Sequence, residues 1–375
     1  MINKKHILKV IKEYFNINNI KNIKEMNLGY INNTYLIEFE DCRYILQKLN
    51  NNVFTSPFGV MNNIFLVTDY IKKKCVYEGL NIRKSVLNFI KTKHDQILAL
   101  VNNEYWRCME YVEGGKTYTN VSDANLFYEA GKAVGNFQYL LEGFNPDLLD
   151  DTIKNFHDTK KRYNQFCKII SNECENRKKI NEVRKEIEFI VSRKNKMSLI
   201  TDKIKNKTLK LRVCHNDTKI TNIMIDEKTK KYMCLIDLDT VMKGSLVFDF
   251  ADALRIGASK TNEDDTNLDN VKIDLELVDA FSKGFFYETR KRNNITYISE
   301  KEVESLYDAY LIITLELAMR FLMDYIEGDI YFKRDKKRPK HNLDRARNQM
   351  RLVLEIEKNK EEIERIIYKH WKEMN

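Results

Sequence analysis

The chain of 375 residues contains only three prolines and twelve glycines, and its seven cysteines form no CxxC pair. Scattered cysteines of this kind exclude a disulfide framework and a cysteine zinc site, and they predict reduced thiols in a cytoplasmic protein. No stretch approaches the roughly 18 consecutive apolar residues that a membrane helix needs. The N-terminal sequence MINKKHILKVIKEYFNI also lacks the apolar block and cleavage site of a signal peptide. Its apolar spacing instead predicts an amphipathic helix.

The composition is that of a globular protein, with 43% hydrophobic and 32% charged residues. The net charge is +9, but lysines alternate with glutamates over most of the chain, as in the segment 177–193. The densest basic run, Lys333–Lys340, is predicted to be a surface loop. Net charge alone therefore does not support a nucleic-acid partner. We predict neither nucleic-acid nor membrane binding, and the sequence leaves the oligomeric state open.

The first 112 residues have a mixed pattern with several short strands. Two apolar runs, Tyr35–Phe39 and Arg43–Leu49, are separated by three residues and predict a hairpin. A helix is predicted over Val60–Lys74 and a strand over Trp106–Val112. The sequence Glu113-Gly114-Gly115 that follows is the best candidate for a linker between two lobes.

The remainder, 113–375, is predicted to be mainly helical. Its helical segments are predicted at 124–143, 160–197, 273–291, 300–328 and 343–370, and its strands at Ile223–Ile225 and Tyr232–Ile236. A small sheet followed by a larger helical region predicts an α+β fold of two lobes, 1–112 and 113–375, with a cleft between them.

The most informative segment is VCHNDTKITNIMID, residues 213–226, followed by CLIDLD, residues 234–239. Its polar residues His215, Asp217, Lys219 and Asn222 are spaced as in the protein-kinase catalytic loop H-x-D-x-K-x-x-N. Asp237 follows the next apolar strand, fifteen residues beyond Asn222. Phosphoryl transfer needs such groups: one carboxylate to take a hydroxyl proton, oxygen ligands for Mg²⁺, and a cation near the transferred phosphoryl group.

Nearly the whole chain resembles the aminoglycoside phosphotransferase and choline kinase superfamily, and within it the N-acetylhexosamine 1-kinases. The resemblance rests on segments throughout the chain: LGYINNTYLI (28–37), RYILQKLN (43–50), TIKNFHDTKKRY (152–163), RVCHNDTKITNIMID (212–226), LIDLDTVMKGSLVFDFADALRIGAS (235–259), LELAMRFLMDYIEGDIYF (315–332) and HNLDRARNQMRLV (341–353).

This resemblance implies a protein-kinase-like fold and ATP-dependent phosphorylation of the anomeric hydroxyl of N-acetylglucosamine or N-acetylgalactosamine. It implies that Asp217 is the base and that Lys219 lies near the γ-phosphate. Asn222 and Asp237 would bind Mg²⁺. Asp249 would brace the catalytic loop.

The nucleotide is expected to contact the N-terminal lobe, 1–112. The turn from Gly29 to Thr34, with Asn32 among its polar residues, is expected to be a phosphate-covering turn, although on its own this sequence with a single glycine fits an ordinary hairpin turn better. Glu110 through Val112 would form the hinge that faces the adenine, although a plain buried strand fits this sequence equally well.

The phosphate-binding position of the third strand is either Gln47 or Lys48. Alignment of the apolar run favours Gln47, whereas chemistry favours Lys48, and a shift by one residue reverses which side chain enters the cleft. The following helix offers Asn62 and Asn63 where a protein kinase places a glutamate. The usual Lys–Glu ion pair is therefore predicted to be absent.

The candidates for acceptor binding lie in the C-terminal lobe. Arg320 and Asp324 are four residues apart on one helical face, and His341 and Arg345 follow. An Arg–Asp pair at this spacing is more often a structural salt bridge. His157 is likewise interpreted as structural.

Other functions remain open from the residues alone. The main alternative is a kinase of another small hydroxyl substrate, such as an aminoglycoside, an amino alcohol or an amino acid. A nucleotide-binding protein without catalysis is a second alternative, which the intact Asp217, Asn222 and Asp237 oppose. A protein kinase proper is disfavoured because Leu-Asp follows Asp237 where Phe-Gly would be expected.

Overall fold

The computed structural model describes residues 4–26, 32–51, 56–171, 173–290 and 297–374. The chain divides into two compact units. The first, here called the sheet unit, consists of Met1–Thr117, Leu140–Lys154 and Met224–Lys243. The second, the helical unit, consists of Tyr118–Tyr139, Asn155–Ile223 and Gly244–Asn375.

The sheet unit is built on an antiparallel sheet whose strands lie in the order β1-β2-β3-β6-β4, with β5 paired to β6. The strands are β1 (Asn22–Met26), β2 (Asn33–Glu38), β3 (Arg43–Lys48), β4 (Phe89–Ile90), β5 (Ala99–Val101) and β6 (Glu104–Glu110). The predicted hairpin is confirmed as β2 and β3, and the predicted strand as β6. The pairing between β3 and β6 is unbroken from Tyr44–Glu110 to Lys48–Trp106. Successive side chains of these strands therefore point to opposite faces of the sheet.

One face of this sheet is covered by α1 (Lys4–Tyr14). The apolar side chains of α1 recur at helical spacing and pack against the sheet: Ile7, Val10, Ile11 and Tyr14 against Tyr35, Ile37, Leu46, Ala99, Trp106 and Cys108. Because Lys48 pairs with Trp106 and Gln47 with Arg107, Lys48 belongs to the α1 face and Gln47 to the opposite face.

The sheet unit also contains α2 (Pro57–Glu78). Both ends of this helix are capped. At the N-terminus the Ser56 hydroxyl accepts a hydrogen bond from the Gly59 amide, and at the C-terminus Gly79 adopts a left-handed conformation with a φ of 67°. Asn63 of this helix is buried and donates to the carbonyls of Asp150 and Val241. Asn63 therefore acts as a structural anchor within the sheet unit.

The rest of the sheet unit includes α3 (Ile82–Ser85) and a small antiparallel sheet in the order β10-β9-β7. Its strands are β7 (Gly115–Lys116), β9 (Ile223–Asp226) and β10 (Tyr232–Leu235). The two strands predicted for this region are confirmed as β9 and β10. The short strands β8 (Arg212–Cys214) and β11 (Met242–Gly244) precede and follow them along the chain.

The helical unit is organised around α12 (Leu306–Glu327), which packs against α13 (His341–Lys358), α9 (Leu246–Gly257) and α5 (Thr159–Ser171). Nearly all of its side chains are buried because apolar residues surround the whole helix. The other helices are α4 (Ala124–Leu140), α5 (Thr159–Ser171), α6 (Glu173–Glu182), α7 (Arg184–Val191), α8 (Leu199–Lys205), α9 (Leu246–Gly257), α10 (Leu275–Thr289), α11 (Glu300–Val303), α13 (His341–Lys358) and α14 (Lys360–Met374).

The segment 160–197, predicted to be helical, forms the three helices α5, α6 and α7. The break between α6 and α7 falls at Val183, whose φ of −109° and ψ of 28° are not helical. Val183 is fully buried, so its packing overrides a charge pattern that continues across the break. Lys333–Lys340 forms an exposed irregular loop, as predicted.

Across the part of the chain that the structure describes, no helix combines the length and apolar character needed to span a bilayer. Among the cysteines whose side chains the structure describes, six are free thiols: Cys42, Cys75, Cys108, Cys167, Cys214 and Cys234.

Candidate active site

The predicted catalytic loop follows β8 and leads into β9. It turns sharply at Asn216, which has a φ of 65°, a left-handed conformation that asparagine tolerates better than most residues. His215 and Thr218 are fully buried on either side of the turn. Asp217, by contrast, keeps 26% of its side chain exposed. The loop therefore presents this one carboxylate while its flanking residues are fixed inside the helical unit.

Asp249, at the start of α9, holds the loop in this shape. Its two carboxylate oxygens accept the backbone amides of His215 at 2.9 Å and Asn216 at 2.7 Å. Gln138 donates to the same carboxylate at 2.8 Å, and the Thr218 hydroxyl donates to the Asp249 backbone carbonyl at 2.6 Å. Asp249 is completely buried, and this burial raises the pKa of its carboxyl group although His215 and the donated hydrogen bonds oppose the shift. The bracing role that the resemblance implied is thus matched by these contacts.

Lys219 and Asn222 converge on Asp217 within the loop. The Lys219 ammonium lies 2.7 Å from Oδ2 of Asp217, and the Asn222 amide donates to the same oxygen at 2.9 Å. Asn222 also donates to the Asp217 backbone carbonyl at 2.9 Å. Because both side-chain donors use Oδ2, Oδ1 is the oxygen of Asp217 that remains for a proton.

These donors determine the charge state of Asp217. Partial burial on its own raises the pKa of this carboxyl group, but the Lys219 ammonium, with smaller contributions from His215 and the Asn222 amide, outweighs it. The net result is a pKa below the ordinary value of aspartate. Asp217 is therefore an oriented, ionised carboxylate at neutral pH.

Asp237 lies in the sheet unit, directly after β10, with a left-handed φ of 60°. A short helical turn over Leu238–Thr240 follows it. Within this turn, the buried Asp239 is ion-paired with Arg107 of β6 and accepts the Asn32 amide at 2.7 Å. Sequence reasoning missed both Arg107 and Asp239. An arginine inside the otherwise apolar run YWRCM, residues 105–109, was the available signal, because a buried charge needs a partner.

The two candidates of the third strand lie on different faces of the sheet. Gln47 donates to the Thr34 hydroxyl at 3.1 Å and accepts from Arg107 Nε at 2.9 Å. Lys48 forms an ion pair with Glu104 on the face covered by α1. Only Gln47 therefore belongs to the polar group that includes Thr34, Asn32 and Asp239. The part of the predicted phosphate-covering turn before Asn32, residues 29–31, lies outside the described residues.

The predicted hinge residues end β6 and begin a turn. The backbone amide of Glu110 donates to the Asn88 carbonyl at 2.9 Å, and its carboxylate lies 4.0 Å from Arg83. The Val112 carbonyl accepts the Gly115 amide at 3.4 Å. The Gly-Gly pair thus closes a turn immediately after Val112.

Three of the four predicted acceptor residues hold the chain after α12 in place. Asp324 accepts the backbone amides of Ile330, Tyr331 and Phe332 at 2.7 to 3.0 Å. His341 accepts the Asp335 amide at 2.9 Å and contacts Asp264 at 3.2 Å. Arg345 donates to the Lys333 carbonyl at 3.2 Å. These contacts shape the 329–340 segment.

Arg320, the fourth, points to the aromatic residues of this segment. Its guanidinium lies 5.3 Å from the centre of the Phe332 ring and 3.4 Å from the Tyr331 hydroxyl. Arg162 is close enough to Arg320 that its pKa is lowered, first by burial and then by the charge of Arg320. The Nε atom of Arg162 is buried without a hydrogen-bond partner among the described residues. Tyr331, which sequence reasoning did not single out, is 64% exposed.

Glu316 and His157 connect this cationic group to the catalytic loop. The His157 ring stacks on Phe248 at 4.7 Å, and Phe248 precedes Asp249. Nδ1 of His157 lies 3.5 Å from Glu316, which also accepts the Thr159 hydroxyl at 2.8 Å. The helical unit thus has a packed path from Glu316 through His157 and Phe248 to Asp249, the brace of Asp217.

Replacing Glu316 with Gln is expected to lower the free energy of unfolding by about 3 kcal/mol at pH 7. Burial alone raises the pKa of Glu316, but His157, the charge of Arg320 and the Thr159 hydroxyl outweigh it and lower the pKa from 4.5 to about 2. A lowered pKa means that the stabilisation is present above pH 4.5 and is lost as the pH falls towards about 2. Urea unfolding at pH 7, 4 and 3 should therefore show a narrowing difference between wild type and variant.

The control for this experiment is Glu364→Gln, which removes a carboxylate from an exposed pair with Lys360. Its effect should stay within about 0.5 kcal/mol at every pH. A Glu316→Gln difference that is independent of pH would contradict the charge argument.

The chain is similar to one known protein family and to several solved structures. A family model described as "Phosphotransferase enzyme family" matches residues 84–279. An aminoglycoside phosphotransferase from Alicyclobacillus acidocaldarius subsp. acidocaldarius has a similar structure, with 14% identity, a TM-score of 0.61 and coverage of 96% of this chain and 97% of that chain. The microcompartment-associated aminopropanol kinase is 12% identical with a TM-score of 0.62, covering 96% and 98% of the two chains.

A third similar structure is a spectinomycin phosphotransferase in complex with ADP and spectinomycin. It is 11% identical with a TM-score of 0.54, covering 94% of this chain and 98% of that chain. At these identities the likeness concerns the fold. The predicted protein-kinase-like class, with a sheet-based N-terminal lobe and a helical C-terminal lobe, is confirmed.

Proposed function

The chain belongs to the phosphotransferase enzyme family, and from that premise we propose that it transfers the γ-phosphoryl group of ATP to the anomeric hydroxyl of an N-acetylhexosamine. The products would be ADP and the 1-phosphate of N-acetylglucosamine or N-acetylgalactosamine. That it is an enzyme, a small-molecule kinase, follows from the family. The choice of acceptor and the roles of individual residues are our proposal.

The observation that carries the proposal is the state of Asp217. Its Oδ2 is held by Lys219 and Asn222, and its pKa is lowered. We assign Oδ1 the task of receiving the acceptor proton as the oxygen of the substrate attacks the γ-phosphorus. An anomeric hydroxyl is more acidic than an ordinary alcohol, so that one carboxylate suffices. Lys219 would then offset negative charge on the transferred group.

Mg²⁺ fits the donor set that we assign to it, Asn222 and Asp237. Asn222 uses its amide nitrogen for both hydrogen bonds to Asp217, which leaves its carbonyl oxygen for a cation. Within the described ranges, no three His, Cys, Asp or Glu residues gather as a metal cluster. The ion would thus obtain its other ligands from nucleotide oxygens and water, as Mg²⁺ commonly does. When bound, it would neutralise phosphate charge.

The nucleotide contacts are assigned to the region 1–112, and the catalytic and acceptor contacts to 113–375. ATP as the donor is supported by the ADP in the similar spectinomycin phosphotransferase. Asn32, Thr34 and Gln47 would contact the phosphates, and the backbone from Glu110 to Val112 the adenine. Lys48 is a weaker candidate than Gln47 because it is paired with Glu104 on the α1 face.

The charge of the acceptor candidates supports a neutral sugar. Arg320 and Arg345 lie against the contacting rings of Phe332 and Phe321, and Arg162 is adjacent to Arg320. Guanidinium groups donate to hydroxyl and carbonyl oxygens and repel cations. We therefore assign acceptor binding to Arg320, with the Tyr331 ring beside it. Asp324, His341 and Arg345 would contribute chiefly by shaping this segment.

A different small hydroxyl substrate is the second candidate. It is supported by the similar aminopropanol kinase and aminoglycoside phosphotransferase. Both an aminoglycoside and an amino alcohol carry ammonium groups, however, and these would meet the cationic surface around Arg320. An inactive nucleotide-binding protein is opposed by the oriented carboxylate of Asp217. The free thiols support our proposal that the enzyme works in the cytoplasm.

The proposal is tested by measuring ADP release with Mg-ATP across N-acetylhexosamines, other hexoses, aminoglycosides and amino alcohols. We expect turnover with N-acetylglucosamine or N-acetylgalactosamine, with a 1-phosphate identified by phosphorus NMR. In the same screen, Arg320→Met should raise KM for the sugar about tenfold, because a hydrogen bond to a charged group is lost.

Arg347→Met is the matched control, since the Arg347 guanidinium pairs with Glu186 and has no proposed acceptor role. It should leave KM for the sugar unchanged. Turnover of an amino alcohol or aminoglycoside without turnover of any hexosamine would replace the proposed substrate. Absence of turnover with every acceptor would contradict the kinase proposal.

A further inference from the structure

The sheet unit contains a buried ion pair that the proposed chemistry does not use. Arg107 of β6 and Asp239 are 132 residues apart, and their side chains are 2% and 4% exposed. Arg107 also lies with its guanidinium 5.7 Å from the Phe89 ring and 3.9 Å from the Met61 sulfur. This largely apolar environment makes the carboxylate of Asp239 the main counter-charge of Arg107.

The pair is part of a longer chain of hydrogen bonds. Thr34 accepts from Gln47, Gln47 accepts from Arg107 Nε, and Arg107 donates to Asp239. Asn32 donates to the second oxygen of Asp239 at 2.7 Å. Asn32 and Thr34 flank the start of β2, so the chain links β2, β3 and β6 to the turn that follows β10. Every one of these contacts lies within the sheet unit.

Stability alone is a poor explanation for such a pair. Taking two charges out of water offsets much of their attraction, and apolar residues of similar size often stabilise a protein as well or better. The pair does fix geometry, because a guanidinium held at several atoms allows few orientations of its partner. The pair with Arg107 fixes the position of Asp239, which lies two residues after Asp237 in the turn Leu238–Thr240.

Asp237 needs such support because its backbone is left-handed, with a φ of 60°. A residue other than glycine pays about 1 kcal/mol or more in this region and keeps it only when neighbouring contacts enforce it. The turn after Asp237 is held by the Val241 amide on the Leu238 carbonyl at 3.1 Å and by Asn63 on the Val241 carbonyl at 3.0 Å. The ion pair of Asp239 with Arg107 is a third contact that holds this turn, and unlike the two hydrogen bonds it joins two charged groups.

We propose that Arg107 is a positioning residue for metal binding: through Asp239 it holds Asp237 in the conformation that presents its carboxylate to the nucleotide-bound metal. This deepens the proposed function and rests on it for the role of Asp237.

The test is the affinity for Mn²⁺, measured by electron paramagnetic resonance with a saturating non-hydrolysable ATP analogue. Arg107→Met is expected to weaken Mn²⁺ binding about tenfold or more, because residues that orient a ligand typically contribute 10- to 100-fold to metal affinity. Arg107→Lys keeps the charge without the planar fork and should give an intermediate loss. In both variants, KM for Mg²⁺ in ADP release should rise above the wild-type value in parallel with the loss of Mn²⁺ affinity.

Arg193→Met is the control, because Arg193 forms a partly buried pair with Glu357 in the helical unit. It should lower the melting temperature and leave Mn²⁺ affinity unchanged. Mn²⁺ binding by Arg107→Met that is as tight as in wild type, or tighter, would overturn the proposal. If Arg107→Met does not fold, wild-type affinity in a folded Arg107→Lys would overturn it equally. Because Mn²⁺ binding needs no acceptor, failure of the sugar screen would leave this test intact.

Discussion

Replacing Asp217 with Asn is expected to lower kcat by about 10²- to 10⁴-fold, the usual contribution of a positioned general base. The substitution preserves the size of the side chain and removes the charge that would accept the proton. KM for ATP should change little, because Asn222 and Asp237 are the residues assigned to the metal. Single-turnover ADP release measures the effect directly.

Asp202→Asn is a suitable control, since Asp202 is a half-exposed carboxylate on α8. It should retain wild-type kcat. The lowered pKa of Asp217 adds a second expectation: the base form persists below the ordinary pKa, so kcat/KM should show no acid limb from this residue above about pH 4. Turnover by Asp217→Asn close to wild type would remove Asp217 from the mechanism.

Replacing Asp249 with Ala is expected to reduce both stability and turnover. Three donors would lose their acceptor inside the protein, namely the amides of His215 and Asn216 and the side chain of Gln138. Each unsatisfied buried donor costs about 1–3 kcal/mol, so the free energy of unfolding should fall by about 3 kcal/mol or more. A displacement of Asp217 by about 1 Å should lower kcat about 100-fold in the folded fraction.

The control for Asp249 is Glu355→Ala, which removes a similarly buried carboxylate from a pair with Arg351 on α13. It should destabilise the protein without changing kcat per folded molecule. Urea unfolding gives the folded fraction, and ADP release at a urea concentration where both variants are folded gives kcat. Equal loss of stability in both variants, with full turnover in Asp249→Ala, would show that Asp249 does not position the base.

The elements nearest the chemistry could be predicted because their geometry is local. Asp217, Lys219 and Asn222 lie within six residues, and their side chains contact one another directly. The β2–β3 hairpin and β6 followed from alternating apolar residues, and α1 from helical spacing. The alternation of charges over 177–193 could not reveal the break at Val183, where a fully buried side chain interrupts the helix.

The amino-acid sequence alone determined the family resemblance, the α+β class and the local grouping of the catalytic loop, since each depends on short spacing or on periodicity. Tertiary structure decided which side of the sheet Gln47 and Lys48 occupy, because strand pairing sets that register. It also decided the partnership of Arg107 with Asp239 and the use of Asp324 to fold the chain around Tyr331. Buried charges find their partners across long stretches of chain, and no local pattern specifies which acid a buried arginine will meet.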